Sequence, residues 1–268
     1  VELFFLRVAK KPLFVTYQGD DARQGDYSRE NFAYSIAHYV GNDYYNKTTD
    51  AFKRKSIALM SRFCTRIYSV NPDLLHVLPD NARFMPYGHI YPNDVELCHL
   101  SLESRPLRIF HAPTSRQAKG TDKILSALQK LEEEGYRFEL ILVEGLSHAE
   151  AMQRYRDCDL LIDQIYAGWY GGLAVEVMAM GKPVMAYIRD DDLQFIPPQM
   201  AQDLPVLRIA PVSLEQDLKK ILEMPREQLY EVGCRGRSYV ERWHDPVKIA
   251  QEISKDYHAA CSRVGAGA

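Results

Sequence analysis

Residues 159–188, "DLLIDQIYAGWYGGLAVEVMAMGKPVMAYI", decide the fold of this chain. The centre of "DLLIDQI" is apolar without alternation, which suits a strand buried on both faces. A glycine-bearing stretch leads into a helical pattern that ends in Gly-Lys-Pro, and a second apolar strand, "PVMAYI", follows. The same alternation repeats outward. "LRIFHA" (107–112) precedes a helix opened by Thr121, with Ile124, Leu125, Leu128 and Leu131 on one face and Gly135 at its close. "FELILV" (138–143) precedes a helix whose start, Ser147-His148-Ala149-Glu150, has the capping-box pattern, and "VLRIA" (206–210) precedes another with the box Ser213 to Gln216. Strands that are apolar throughout and separated by helices predict a parallel sheet covered on both faces, the doubly wound α/β class.

Residues 1–95 read differently. They hold a strand "PLFVTY", a loop "QGDDARQGD", helical stretches around 30–40 and 48–63, and short segments "RIYSV" and "ARFMPYG". These are too few strands for a complete doubly wound domain. The polar segment "HIYPNDVELCHLSLESRP", bounded by Pro92 and Pro106, reads as a connection. The expected organisation is therefore a partial first domain (1–95), a linker (96–105), a second domain (106–244), and a last helix with tail (245–268) opened by Asp245-Pro246. The chain starts at Val1 without Met, and some ~80 residues of a full first domain are expected to be missing.

Composition narrows the function. The 268 residues are 46% hydrophobic and 26% charged, enough for a sizeable core. With 33 basic against 36 acidic residues, the net charge of −3 gives no reason to expect a nucleic-acid partner. Five scattered cysteines without a Cys-x-x-Cys pair suggest neither a zinc site nor a disulfide framework, and fit a reducing, cytoplasmic setting. No apolar run reaches the ~20 residues that span a bilayer. The basic run Lys53-Arg54-Lys55, with Arg62 and Arg66 beyond, reads first as a solvated helix face. Its alternative use is peripheral contact with anionic lipid at the inner face of a membrane.

Two loops carry the chemistry. In the first, "HAPTSRQAKGTD" (111–122), Arg116 and Lys119 lie at the carboxyl end of a strand, where open α/β sheets bind ligands. In the second, Gly168, Gly171 and Gly172 open a helix and let backbone N–H groups approach an anion at its positive end. On that helix Glu176 has Gly172, Leu173, Ala179 and Met180 at helical spacing, so its carboxylate leaves from an apolar face and requires a partner. Either a buried ion pair or the hydroxyls of a ligand would satisfy it. His111 at a strand end reads as a structural hydrogen-bonding residue, with a catalytic base as the alternative. His148 lies at a helix start. "DCD" at 157–159 resembles an Asp-x-Asp metal motif, but its place before a strand makes it a helix-to-strand connection. Trp169 and Tyr170 either stack on a sugar or pack in the core.

The stretch "HAPTSRQAKGTDKILSALQKLEEEGYRFELILVEGLSHAEA", followed by "DLLIDQIYAGWYGGLAVEVMAMGKPVMAYIR", resembles the donor-binding domain of the group 1 (family 4) retaining glycosyltransferases of GT-B fold. "VEVMAMGKPV" is the most specific part. "YQGDDAR" (17–23) resembles the His-Gly-Ser-Asp-x-Arg loop of the acceptor-side domain, and "ARFMPYG" that domain's final segment. The resemblance implies a nucleotide-sugar donor as substrate with no separate cofactor or metal, and a glycan or lipid-linked acceptor. It implies Lys119 as the diphosphate-holding catalytic residue, with Arg116 a displaced helper because the usual arginine position is Thr114. Glu176 would bind the ribose. The first glutamate of the family's pair falls on Gly168, leaving Asp163 or Gln164 to touch the sugar. Gly120, Trp169, Tyr170, Gly171 and Gly172 complete the implied donor site, and Gly19, Asp21 and Arg23 the acceptor side. In this chemistry the leaving diphosphate takes the acceptor proton, so the protein mainly stabilises negative charge. The alternatives are a donor-binding remnant without turnover and a nucleotide-sugar 2-epimerase.

Overall fold

The computed structural model describes residues 2–265, and Val1 and the tail 266–268 lie outside them. Helix α1 (Glu2–Val8) leads to strand β1 (Phe14–Tyr17). Helices α2 (Gly25–Asn31) and α3 (Lys47–Phe63) precede β2 (Arg66–Ser69) and β3 (Ala82–Phe84). These strands form one parallel sheet in the order β1-β2-β3.

The second sheet begins at β4 (Leu107–His111). It is followed by α4 (Arg116–Lys119), α5 (Thr121–Glu133), β5 (Phe138–Leu142), α6 (His148–Arg156), β6 (Leu160–Ile162), α7 (Gly172–Ala179) and β7 (Val184–Ala186). Then come α8 (Pro198–Asp203), β8 (Leu207–Arg208), α9 (Leu214–Leu222), α10 (Arg226–Trp243) and α11 (Pro246–Gly265). All five strands are parallel, in the order β5-β4-β6-β7-β8. The chain runs from β4 to β5 on one side and crosses back to β6 on the other. The carboxyl ends of β4 and β6 therefore flank the topological switch point, where such sheets leave a crevice.

Both faces of this sheet are covered, as the sequence predicts. Ile109 and Ile162 turn to a core shared with Ile124, Leu128 and Leu131 of α5 and Leu218 of α9. Their neighbours Phe110 and Leu161 turn to the opposite core, with Val175 and Met178 of α7 and Tyr239 of α10. Successive strand residues serve opposite layers, so the strands cannot alternate in polarity.

Local signals behave unevenly. The capping box at α6 forms, with Ser147 N–H donating to Glu150 Oε2 (2.9 Å) and Glu150 N–H to Ser147 Oγ (3.4 Å). Gly135 closes the turn after α5 with φ +100°. The box expected at Ser213 does not form: the Ser213 side chain accepts no cap bond, and its hydroxyl donates to Asp217 Oδ2 at 2.6 Å. The helical stretch expected over 30–40 also breaks. Helix α2 stops at Asn31, and Phe32, in extended backbone, turns its ring inward under Arg189.

Asp245 caps α11 by accepting from Val247 N–H at 2.8 Å. The helix then returns to the first sheet, where Tyr68 Oη donates to Asp256 (2.8 Å) and the Phe14 and Tyr257 rings lie 4.0 Å apart. Segment 96–105 is packed rather than free: Cys98 N–H donates to the Met180 carbonyl (2.9 Å) and Leu100 is buried. No described helix is long and apolar enough to cross a membrane.

Candidate functional site

A cavity of about 500 Å³ lies between the two sheets at the switch point. Gln18, Gly19, Asp20, Asp21, Arg23, Ile36, Asn71 and Tyr87 wall it from the first half, and Lys119, Gln164, Ala167 and Gly171 from the second.

The second wall is set by how the two loops pack. Gly120 adopts φ +80°, and a Cβ there would run into Ile165 and Tyr166, so the 112–121 loop rests directly on the 163–171 loop. This contact carries Lys119 Nζ to 2.7 Å from Asp163 Oδ1. Asp163 is fully buried, and its other oxygen accepts the Gly171 N–H at 2.6 Å. A carboxylate removed from water needs such partners, and here they are the cavity lysine and the start of α7. Gln164 donates to the Trp169 carbonyl and closes the loop from inside.

Gly168 sits at φ +83°, and a Cβ on it would lie 2.5 Å from Arg189 Nη1. Arg189 is buried and spans the two halves. It pairs with Asp192 (2.6 Å), donates to the Tyr34 carbonyl (2.9 Å), and lies 3.8 Å from the Phe32 ring centre. The space of the first glutamate is thus filled by a guanidinium from another strand end.

Glu176 is buried with 6% exposure. Its Oε1 accepts from His148 Nε2 at 2.8 Å and has His89 Nε2 at 3.4 Å. Burial alone would raise its pKa, but the bonds from His89 and His148 outweigh it, and the carboxyl is held below its ordinary value. The partner of the lone carboxylate is therefore a pair of histidines, one of them, His89, contributed from the end of the first half.

Several sequence expectations are corrected. Arg116 does not reach the cavity wall: its guanidinium is exposed and held in a two-point bond by Glu144 (2.8 and 2.7 Å). Trp169 and Tyr170 belong to the core. Trp169 packs on Tyr170 with ring centres 4.4 Å apart, and the Tyr170 hydroxyl meets Tyr239 (3.0 Å) and His244 (2.9 Å). Their side chains face no ligand space. The basic run is mainly a solvated face, as first read, with Arg54, Lys55 and Arg62 exposed; Lys53 departs from it by donating inward to the Arg23 carbonyl (2.8 Å), and Arg66 faces Asp256.

Other residues take their structural readings. His111 is buried between the Ile162 carbonyl and Thr121 Oγ1, each at 2.8 Å, and burial lowers its pKa. Asp159 of "DCD" accepts from Arg105 (2.6 and 2.9 Å), tying the start of β6 to the segment before β4. In the first half, Asp21 accepts the N–H groups of Gln18 (3.0 Å) and Gly19 (2.8 Å) and so shapes the loop. Arg23 is bound at two points by Asp73 (2.7 and 3.1 Å) and by Asp20 (2.9 Å). Burial opposes its charge, yet these carboxylates raise its pKa above the usual value. Sequence reading missed Asp20, Asn71, Tyr87, His89 and Arg189. Asp20, Tyr87 and Arg189 stood inside quoted stretches, yet they, Asn71 and His89 join the site only through tertiary contacts.

Two parallel α/β layers facing across a cleft, with the site at a switch point and a last helix returning to the first layer, define the GT-B architecture. Compared by sequence, the chain matches no protein-family model and no curated protein. Its structure is similar to sucrose-phosphate synthase from Thermosynechococcus elongatus, with TM-score 0.62 and 15% identity over 97% of this chain and 76% of that one. It is likewise similar to Anabaena HepE in complex with UDP-glucose (TM-score 0.61, 14% identity, 96% and 75% covered). WaaG, a glycosyltransferase involved in lipopolysaccharide biosynthesis, gives TM-score 0.56 at 16% identity, covering 93% and 80%. The chain has the GT-B fold.

Proposed function

We propose that the chain is a retaining glycosyltransferase that moves a sugar from a nucleotide-sugar donor to a glycan or lipid-linked acceptor. The observation that carries this reading is the single cavity walled by Lys119, Gln164 and Gly171 on one side and by Gly19, Asp21 and Arg23 on the other. Donor groups bind the second wall and the acceptor binds the first. The UDP-glucose bound in the HepE structure supports a nucleotide-sugar donor, and the process named for WaaG supports a glycan acceptor.

In the proposed reaction the bond between the sugar and the diphosphate breaks, and the acceptor oxygen bonds to the same carbon on the same face. The departing phosphate oxygen takes the acceptor proton. The protein's task is to stabilise the negative charge that develops there. Lys119 supplies a cation held in place by Asp163, and the start of α7 supplies its positive end. Glu176 accepts the ribose hydroxyls. A reducing, cytoplasmic setting is part of the proposal, supported by the five unpaired cysteines.

Calorimetric titration with UDP-, GDP- and dTDP-sugars tests the donor half, and incubation with a labelled donor tests transfer or hydrolysis. Lys119→Ala and Glu176→Ala are expected to weaken donor binding at least ~10-fold each, the scale of a lost hydrogen bond to a charged group. Binding equal to that of the unaltered chain in both variants would overturn the site.

A further inference from the structure

Arg116 is engaged by Glu144, so one basic group expected at the diphosphate is accounted for elsewhere. On the second wall Lys119 is the one basic residue lining the cavity, among the described residues. A second basic side chain comes from the other half of the molecule to the residue next to the one that Lys119 approaches. A Cβ on Gly171 would lie 3.3 Å from Lys119 Nζ, and a Cβ on Gly172 would lie 3.4 Å from both Cε1 and Nε2 of His89. Lys119 and His89 thus lie against two adjacent glycines at the start of α7, and Lys119 and Gly171 line the cavity. Gly171 and Gly172 leave room on this side that any larger residue would take from both basic groups.

His89 is also the ring beside Glu176, at 3.4 Å. A histidine has two ring nitrogens, so one that meets a carboxylate through Nε2 keeps Nδ1 for an anion. About one third of the His89 side chain is exposed, so it is open to a ligand entering from the cleft.

We infer that His89 is the second diphosphate-binding residue of the donor site, acting with Lys119 in the place that sequence reading gave to Arg116. This rests on the donor-site reading above and adds a residue from the opposite half. It makes donor binding depend on both halves being in register.

The test is the binding of a nucleotide sugar and of the matching nucleoside, which lacks phosphate, to the unaltered chain and to His89→Ala. The sugar nucleotide is whichever of the UDP-, GDP- and dTDP-glucose panel binds best, measured by calorimetry, and the nucleoside is followed by NMR. The expected result is a loss of about 10-fold for the nucleotide sugar with under about 2-fold change for the nucleoside. Arg116→Ala is expected to change neither. Thermal melting of His89→Ala checks that the half-exposed site leaves the fold intact. Equal affinity for the nucleotide sugar would overturn the inference. An equal loss for nucleotide sugar and nucleoside would overturn it too, because His89 would then act only through Glu176 and the ribose. If no panel member binds the unaltered chain, the donor-site reading itself falls, an outcome distinct from either.

Discussion

At the scale of single residues, Glu176 and Gly168 show how tertiary contacts complete what a sequence leaves open. A carboxylate on an apolar helix face needs a partner, and that much is legible from spacing. The identity of the partners is not, because His89 and His148 lie 87 and 28 positions away and come together only in the fold. Gly168 is explained by conformation and space together. At φ +83° any L side chain is strained, and Arg189 already occupies the volume that one would enter. Placing a glutamate at this position should therefore harm the chain rather than improve it. Left-handed strain costs about 1–3 kcal/mol, so Gly168→Glu is expected to destabilise by at least about 2 kcal/mol. The midpoint of urea unfolding measures this, and an unchanged midpoint would show that the loop has slack. Gly168→Ala should carry much of the same cost, which separates backbone strain from the added carboxylate.

At the scale of elements, the βα alternation was readable because each strand of the second sheet serves two cores, leaving runs such as "LRIFHA" without a polar face. Helix starts were readable unevenly: Ser147 forms its box, whereas Ser213 accepts no backbone N–H and its hydroxyl donates to Asp217. At the junction of α10 and α11 the start of the last helix was readable from Asp245-Pro246, but its buried contacts were not. There Tyr239, Tyr170 and His244 form a buried chain that ends on the Tyr87 carbonyl, with steps of 3.0, 2.9 and 2.7 Å. His244 Nδ1–H donates to Tyr87 and Nε2 accepts from Tyr170, an arrangement that requires the neutral ring. Burial accordingly lowers its pKa from 6.5 to about 4. The unfolded chain takes up this proton as pH falls through 6.5, while the folded chain resists it until about 4. Protons therefore favour unfolding across that window. The stability contributed by the neutral ring is complete above the unfolded value, declines as pH drops, and loses about 3 kcal/mol in all. Urea midpoints measured from pH 7 to 4 should fall less steeply in His244→Gln than in the unaltered chain. Parallel slopes would remove His244 as the cause.

At the scale of the whole molecule, the site exists only because two sheets hold a fixed separation. The first wall's loop was recognisable as "YQGDDAR", and the second wall's from glycines and Lys119, yet nothing in either stretch sets their distance. That distance depends on residues with no motif. Arg189, at the end of β7, reaches the Tyr34 carbonyl and the Phe32 ring of the first half, while its partner Asp192 takes His76 of the same half at 2.9 Å. The guanidinium is suited to this because it stacks and donates in a plane at once. Removing it would leave Asp192 buried with His76 alone, a loss of about 3 kcal/mol for a broken buried pair. Arg189→Ala should also free the two halves to move apart, seen as a larger radius of gyration in solution scattering and faster cleavage after Glu96 or Glu103 by a glutamate-specific protease. Arg189→Lys keeps the charge beside Asp192 but not the planar contacts with Phe32 and Tyr34. It should recover part of the stability while leaving the wider scattering profile. If Arg189→Ala scattered like the unaltered chain, the cleft would be held by α11 and its contacts with Tyr68 and Phe14 instead, and the Arg189 bridge would be only a local feature of the Gly168 loop.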